Sequence, residues 1–282
     1  MNNVNIINCI TNIVANHNRV IGKSENSHNR LHAMGEPLED YIKDMFSGTY
    51  GSSAQEKMKI HEKVFSYGGG KNNPPDAILF QGDAIEVKKV ESIGGIPLNS
   101  SYPKAKLYKD DPRISSECRN IENGKWNEKD IIYAVGCVSG KNLKSLVLVY
   151  GSIYCAGKEC YENVFNKIKQ SIKDSTLALE ETNELAHINA VDPLGITYFR
   201  ARGMWGISHP FRVFDYIHKY NNNNGFELMT IIPDDKFNSF ANKDSLLKLA
   251  KENNKLKIMD ARVKNPNNTV KTIGVKLITF IL

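Results

Sequence analysis

Two short apolar runs, residues 76–80 and 84–90, are separated only by Gln81-Gly82-Asp83. A tight Gly-containing connection between such runs is a β-hairpin signal, and a hairpin fixes which side chains share a face. On the second strand Glu86 and Lys88 stand two positions apart and project to one side, while Ile85 and Val87 point to the other and can be buried. Asp76 opens the partner strand ten positions before Glu86, so pairing brings the two carboxylates together. The hairpin is therefore apolar on one face and carries two acids and an amine on the other.

Around it, helical and strand periodicities alternate. Helices are expected over residues 4–15, 36–46, 55–65, 159–172, 177–188, 211–220 and 244–252, and strands over 131–138, 146–154, 195–202, 226–232, 256–263 and 269–281. Residues 91–127 read as a long polar connection, beyond ordinary loop length. This order predicts an α/β fold with a mixed central β-sheet flanked by helices. The 282 residues, 41% hydrophobic and 24% charged, suffice for a sizeable core, and one domain spanning 1–282 is expected.

The apolar start, residues 1–20, is sprinkled with Asn and lacks the basic-then-apolar order of a secretory leader. The apolar run 275–282 contains Lys276 and is far shorter than the roughly 20 residues of a membrane span. A soluble, cytoplasmic protein without membrane attachment is expected. Five cysteines, only Cys155 and Cys160 close together, suggest packing rather than a disulfide framework or a zinc site.

Two carboxylates on adjacent strands make a hard oxygen site suited to Mg²⁺, which fills its other positions with water and phosphate oxygens. Such an ion would neutralise a scissile phosphate and acidify a water, with Lys88 placed to position that water and stabilise developing charge. The same residues also read as an exposed hairpin with cross-strand salt bridges. On the helix 36–46, Leu38, Tyr41, Ile42, Met45 and Phe46 form an apolar stripe; Glu39 lies beside it, whereas Asp40 and Asp44 point away. The net charge of +6 permits a polyanionic partner. Lys104, Lys106, Lys109, Arg113, Arg119 and Lys125 interleave with Tyr102 and Tyr108, and Arg200, Arg202 and Arg212 surround Trp205. Both clusters fit phosphate tracking, and both fit a solvated loop or strand edge.

Pro75-Asp76, Glu86-Val87-Lys88 and an acid on a preceding helix resemble the PD-(D/E)XK nuclease superfamily. The segment from Asn73-Pro74-Pro75-Asp76-Ala77 through Gln81-Gly82-Asp83-Ala84-Ile85-Glu86-Val87-Lys88-Lys89, then Leu98-Asn99-Ser100-Ser101-Tyr102-Pro103-Lys104, is similar to the NgoPII family of type II restriction endonucleases. The similarity continues through Lys129-Asp130-Ile131-Ile132-Tyr133-Ala134-Val135-Gly136 and Arg202-Gly203-Met204-Trp205, and so covers most of the chain.

The resemblance implies Mg²⁺-dependent cleavage of double-stranded DNA at a short palindrome, GGCC for the family's namesake, leaving a 5′ phosphate. It implies Asp76 and Glu86 as metal ligands, Lys88 as the catalytic lysine and Glu39 as the helix acid completing the site. Guanine is best met by a bidentate Arg or Lys. Arg200 and Arg202, alternating with Phe199 and Ala201, share a strand face and are the first candidates to enter a groove. Asn99, Ser100, Lys104, Lys106 and Arg119 on the long connection are candidates for bases or phosphates. Met204 and Trp205 read as core or wall, and His209 before Pro210 as a turn or helix cap. A palindrome favours a homodimer, and a restriction system implies a cognate methyltransferase. A structure-directed repair or recombination nuclease, or an inert DNA-binding module, would share parts of this pattern.

Overall fold

The strands with the most continuous apolar sequence lie at the centre. A computed structural model describes residues 4–16, 18–21, 37–70, 73–175 and 179–282. Helices α1 (Ile6–Ala15), α2 (Pro37–Ser47) and α3 (Ala54–Val64) precede β1 (Phe65–Tyr67), the hairpin strands β2 (Ala77–Leu79) and β3 (Ala84–Val90), then β4 (Gly95–Asn99) and β5 (Lys106–Tyr108). There follow α4 (Ser116–Asn120), β6 (Glu128–Ser139), β7 (Asn142–Tyr150), α5 (Gly151–Tyr154), α6 (Lys158–Lys173), β8 (Ala186–Ile188), β9 (Phe199–Ala201), β10 (Trp205–Ser208) and α7 (Pro210–Val213). The order closes with β11 (Glu227–Pro233), α8 (Asp234–Ser239), α9 (Lys243–Glu252), β12 (Leu256–Asn265) and β13 (Asn268–Ile281).

A mixed sheet runs β1-β2-β3-β6-β7-β11-β13-β12, with β5 added to β6 beyond the end of β3. The pairs β3–β6 and β7–β11 are parallel and the others antiparallel. Consecutive residues of β7 and β11, such as Leu146 to Tyr150 and Leu228 to Ile232, are buried. Because neighbours along a strand point to opposite faces, both faces of the sheet centre are covered. α1 packs on α2, α2 on β3, α7 on β7, and α8 on β11 and β13. The expected α/β architecture, a mixed sheet flanked by helices, is the one observed.

Local chemistry explains the helix starts. Asn5 caps α1 and Ser53 caps α3, each in a reciprocal capping box, with Asn8 and Glu56 as partners. Pro37 occupies the first turn of α2, whose stripe Leu38, Tyr41, Ile42, Met45 and Phe46 is buried as its spacing predicts; Glu36 lies outside the described residues.

Five expectations are corrected. Residues 91–127 are not one loop: they hold β4, which pairs with β10, β5, which extends β6, and α4. The expected helix 177–188 is absent over its described part, since 186–188 form β8 against β9; residues 177 and 178 lie outside the described residues. The helix expected over 211–220 is only α7, and the strand 146–154 stops at Tyr150, where the chain turns into α5. At that turn a Cβ on Gly151 would stand 2.4 Å from the Lys104 carbonyl oxygen, an approach only glycine permits. Asp44 does not face solvent: it is buried beneath α3, accepting from Thr49 Oγ1 (2.6 Å) and pairing with Lys57. Among the described residues no helix is long and apolar enough to cross a membrane.

Candidate active site

The register of the hairpin decides the site. Ala77 pairs with Ile85 and Ile78 with Ala84, and just outside this ladder the Asp76 amide donates to the Ile85 carbonyl (3.0 Å). The Asp76 side chain then turns toward β3, where Oδ2 accepts from the Val87 amide (2.6 Å). Glu86 and Lys88 share the polar face of β3, and Lys88 Nζ donates to Glu86 Oε1 (2.7 Å). The structure thus brings Asp76, Glu86 and Lys88 together.

Burial raises the electrostatic stakes. The Asp76 carboxyl is pushed up to about 7, by burial first, then by the negative charges of Glu86 and Glu39, against the Val87 hydrogen bond and Lys88. Burial alone would lower Lys88, yet the attraction and hydrogen bond of Glu86, with the charges of Asp76 and Glu39, hold it above its ordinary value. Lys88 is therefore an ammonium at neutral pH. One atom is left over: among the described residues Glu86 Oε2 is buried without a hydrogen-bond partner. A buried carboxylate oxygen without a donor is costly, of order 1–3 kcal/mol or more, unless a cation meets it.

Glu39 approaches from the helix side. Leu38 of α2 packs over Gly136 of β6, where an added Cβ would come within 2.7 Å of a Leu38 methyl, and this contact sets the next residue at the rim of the cluster. Glu39 lies 4.0 Å from Lys43 and is felt electrostatically by both Asp76 and Lys88. Among the described residues no group of three or more acids, histidines or cysteines is placed to hold a metal ion. The donor set is instead the open kind that Mg²⁺ accepts, one or two carboxylates with the remaining positions left to water and phosphate. The orphaned Glu86 oxygen beside Asp76 fits that requirement.

A cavity of about 20 Å³, room for roughly one water, is lined by Glu86 and Lys88 together with Ser101, Tyr102, Lys104 and Tyr133. Leu98 also lines it, so Asn99 and Ser100 sit between two cavity-lining residues, Leu98 and Ser101. Asn99 adopts a left-handed φ of 52°, which Asn tolerates, and this ends β4. Lys104 is only 5% exposed: Nζ pairs with Asp111 Oδ2 (2.5 Å) and lies over the Tyr102 ring (4.7 Å). It is a wall of the cavity rather than a surface cation. Lys106 pairs with Glu128, and Arg119 Nη2 donates to the Asp111 carbonyl (2.8 Å). Much of the basic 104–125 stretch is thus internally partnered.

Arg200 and Arg202 do lie together, both held by Glu184. Glu184 and Asp111 are absent from the candidates drawn from the sequence, since neither shares a periodicity with the basic residue it holds. Trp205 packs edge-on against Tyr102 (6.3 Å) and Tyr161 (5.6 Å), a wall as expected, whereas Met204 is 67% exposed. His209 caps α7, Nδ1 accepting from the Phe211 amide (3.1 Å), and its burial together with Arg212 lowers the ring to about 4. All five cysteines are free, and of the pair Cys155 and Cys160 only the first is buried.

With this geometry in view, comparison with known proteins gives the lineage. The family described as NgoPII restriction endonuclease matches residues 4–264. The type II restriction enzyme NgoPII of Neisseria gonorrhoeae is 47% identical over 282 residues, covering 99% of this chain and 100% of its own length. No solved structure matches. The chain belongs to the NgoPII restriction endonuclease family, and so is an endonuclease acting on DNA.

Proposed function

We propose that this chain hydrolyses both strands of a short palindromic DNA site, GGCC by its resemblance to the family's namesake, with Mg²⁺ and leaving a 5′ phosphate. The observation that carries the reading is the buried, unpartnered Glu86 oxygen beside Asp76, with the Lys88 ammonium 2.7 Å from the other Glu86 oxygen. This supports reading the cluster as a PD-(D/E)XK-type site, with Asp76 and Glu86 as metal ligands, Glu39 as the acid on the neighbouring helix and Lys88 as the catalytic cation. Bound there, Mg²⁺ would supply charge to the phosphate and lower the pKa of a water. Lys88, kept protonated by Glu86, orients that water and stabilises charge gathering on the phosphate oxygens. The Val87 amide fixes the Asp76 rotamer, so the carboxylates do not have to reorganise during the reaction.

Asn99 and Ser100, between cavity-lining Leu98 and Ser101, with Lys106, Arg119, Arg200 and Arg202, form the DNA-binding set, while Lys104, buried against Asp111, shapes the cavity wall beside them. The 282 residues work as one domain, and two copies related by a two-fold axis meet the palindrome, each cutting one strand. A cytoplasmic setting with a cognate methyltransferase follows from the restriction role.

Plasmid digestion with Mg²⁺ tests this. Discrete fragments whose ends map to one palindrome by run-off sequencing support restriction; cutting confined to branched or damaged DNA would indicate a repair nuclease, and binding without cutting an inert module. Glu86→Ala should abolish cleavage and leave DNA affinity largely intact. A variant that still cuts at the normal rate refutes the metal assignment.

A further inference from the structure

Arg200 and Arg202 are not independent cations, because one carboxylate organises both. Glu184 Oε2 accepts from Arg200 Nε (2.8 Å), and Oε1 accepts from Arg200 Nη2 (2.5 Å) and from Arg202 Nε (2.7 Å). The acid lies beneath the guanidiniums: its side chain is 19% exposed, against 44% and 54% for the arginines. The Leu185 amide donates to the Ala201 carbonyl (3.0 Å), so Glu184, just before β8, and Arg202, just after β9, flank the paired strands, with Arg200 on β9 itself.

The three bonds are unequal in what they leave. Arg200 gives its whole side-on edge, Nε with Nη2, to Glu184, whereas Arg202 gives only Nε. Neither terminal nitrogen of Arg202 is hydrogen-bonded to the acid. Two terminal N–H groups form the fork that meets O6 and N7 of guanine. Trp205, three residues on, packs against Tyr102, which lines the cavity beside Glu86 and Lys88, so the chain leads from Arg202 to the wall of that cavity.

We infer that Glu184 is a positioning residue for sequence discrimination: it holds Arg202 through Nε, leaving the terminal fork uncommitted to the acid, and cancels part of the charge that would hold any phosphate backbone. The inference rests on the reading of the chain as a site-specific endonuclease. Formally the trio carries one positive charge rather than two. Each added cation that meets a phosphate steepens the salt dependence of sequence-independent binding by about one unit of log–log slope. Removing the acid should therefore favour wrong DNA while loosening the geometry that reads the right base.

The test uses the full chain in the Glu86→Ala background, so that Mg²⁺ is present without cleavage. Binding is followed by fluorescence anisotropy on a duplex bearing the site mapped by run-off sequencing and on an unrelated duplex. Glu184→Gln should tighten unrelated binding by about 3–10-fold at low salt and reduce the specific-over-unrelated ratio by about tenfold. Arg202→Ala should lower the same ratio, and adding Glu184→Gln to it should lower it by less than Glu184→Gln does alone, since only the freed Arg200 charge is left to act. Should Glu184→Gln disturb folding, as a thermal melt would reveal, Glu184→Asp keeps the charge and should retain more of the ratio than Glu184→Ala. An unchanged ratio, or an equal loss of affinity for both duplexes, overturns the inference. A parent chain that binds neither duplex removes the functional reading and this inference with it.

Discussion

If Asp76 and Glu86 hold a divalent ion, that ion should stabilise the fold, and the stabilisation should depend on pH through Asp76. At an ion concentration about 100-fold above Kd, binding to the native state alone adds about 2.7 kcal/mol. For 282 residues, an unfolding entropy of roughly 2.1 cal/mol/K per residue gives about 0.6 kcal/mol/K, so the melting temperature should rise by about 4–5 °C. Asp76, pushed up to about 7 from an ordinary 3.8, must be ionised to ligate. In the metal-free chain its sign is that of a raised carboxyl: the stability it contributes is present below about pH 4 and is lost as pH rises through 7. The ion works in the opposite sense, competing with the proton. Between pH 8 and pH 6 its apparent affinity should fall about tenfold, removing up to ~1.4 kcal/mol, or about 2 °C of the shift. Differential scanning fluorimetry across that range, with Mg²⁺ and Mn²⁺, measures this directly. Asp76→Ala and Glu86→Ala should each lose the response. An equal shift in either variant, or a shift that ignores pH, would refute the reasoning.

Two predictions concern the frame that holds the hairpin. Lys236 of α8 donates to Asp83 Oδ1 (2.6 Å) in the hairpin connection and to Asp130 Oδ2 (2.7 Å), while Tyr150 donates to Asp83 Oδ2 (2.7 Å). Lys236→Met strands a buried carboxylate and should cost about 3 kcal/mol, read as a lowered urea midpoint; adding Asp83→Asn should recover part of it, and an unshifted midpoint would show the network to be idle. Gly151→Ala drives a methyl into the Lys104 and Ala105 carbonyls, at 2.4 and 2.8 Å, and should cost about 3 kcal/mol, a drop of about 5 °C in melting temperature; a neutral substitution would mean that turn relaxes freely.

What the sequence determined by itself was local. The Gln81-Gly82-Asp83 connection, the alternation of Ile85 and Val87 with Glu86 and Lys88, the α2 stripe and the His209 cap all follow from neighbours within a few positions, where period and turn chemistry leave little choice. The tertiary structure decided which charges meet. Asp44 is buried because α3 lays Lys57 over it, Lys104 is a cavity wall because Asp111 closes on it, and Arg200 and Arg202 are ordered because Glu184, sixteen and eighteen residues earlier, lies under both. The stretch 91–127 likewise reads as loop because β4 and β5 are short and take their order from distant partners, β10 and β6. An ion pair or an added strand between remote segments has no period of its own; it forms only where the packed sheet brings its two members within reach.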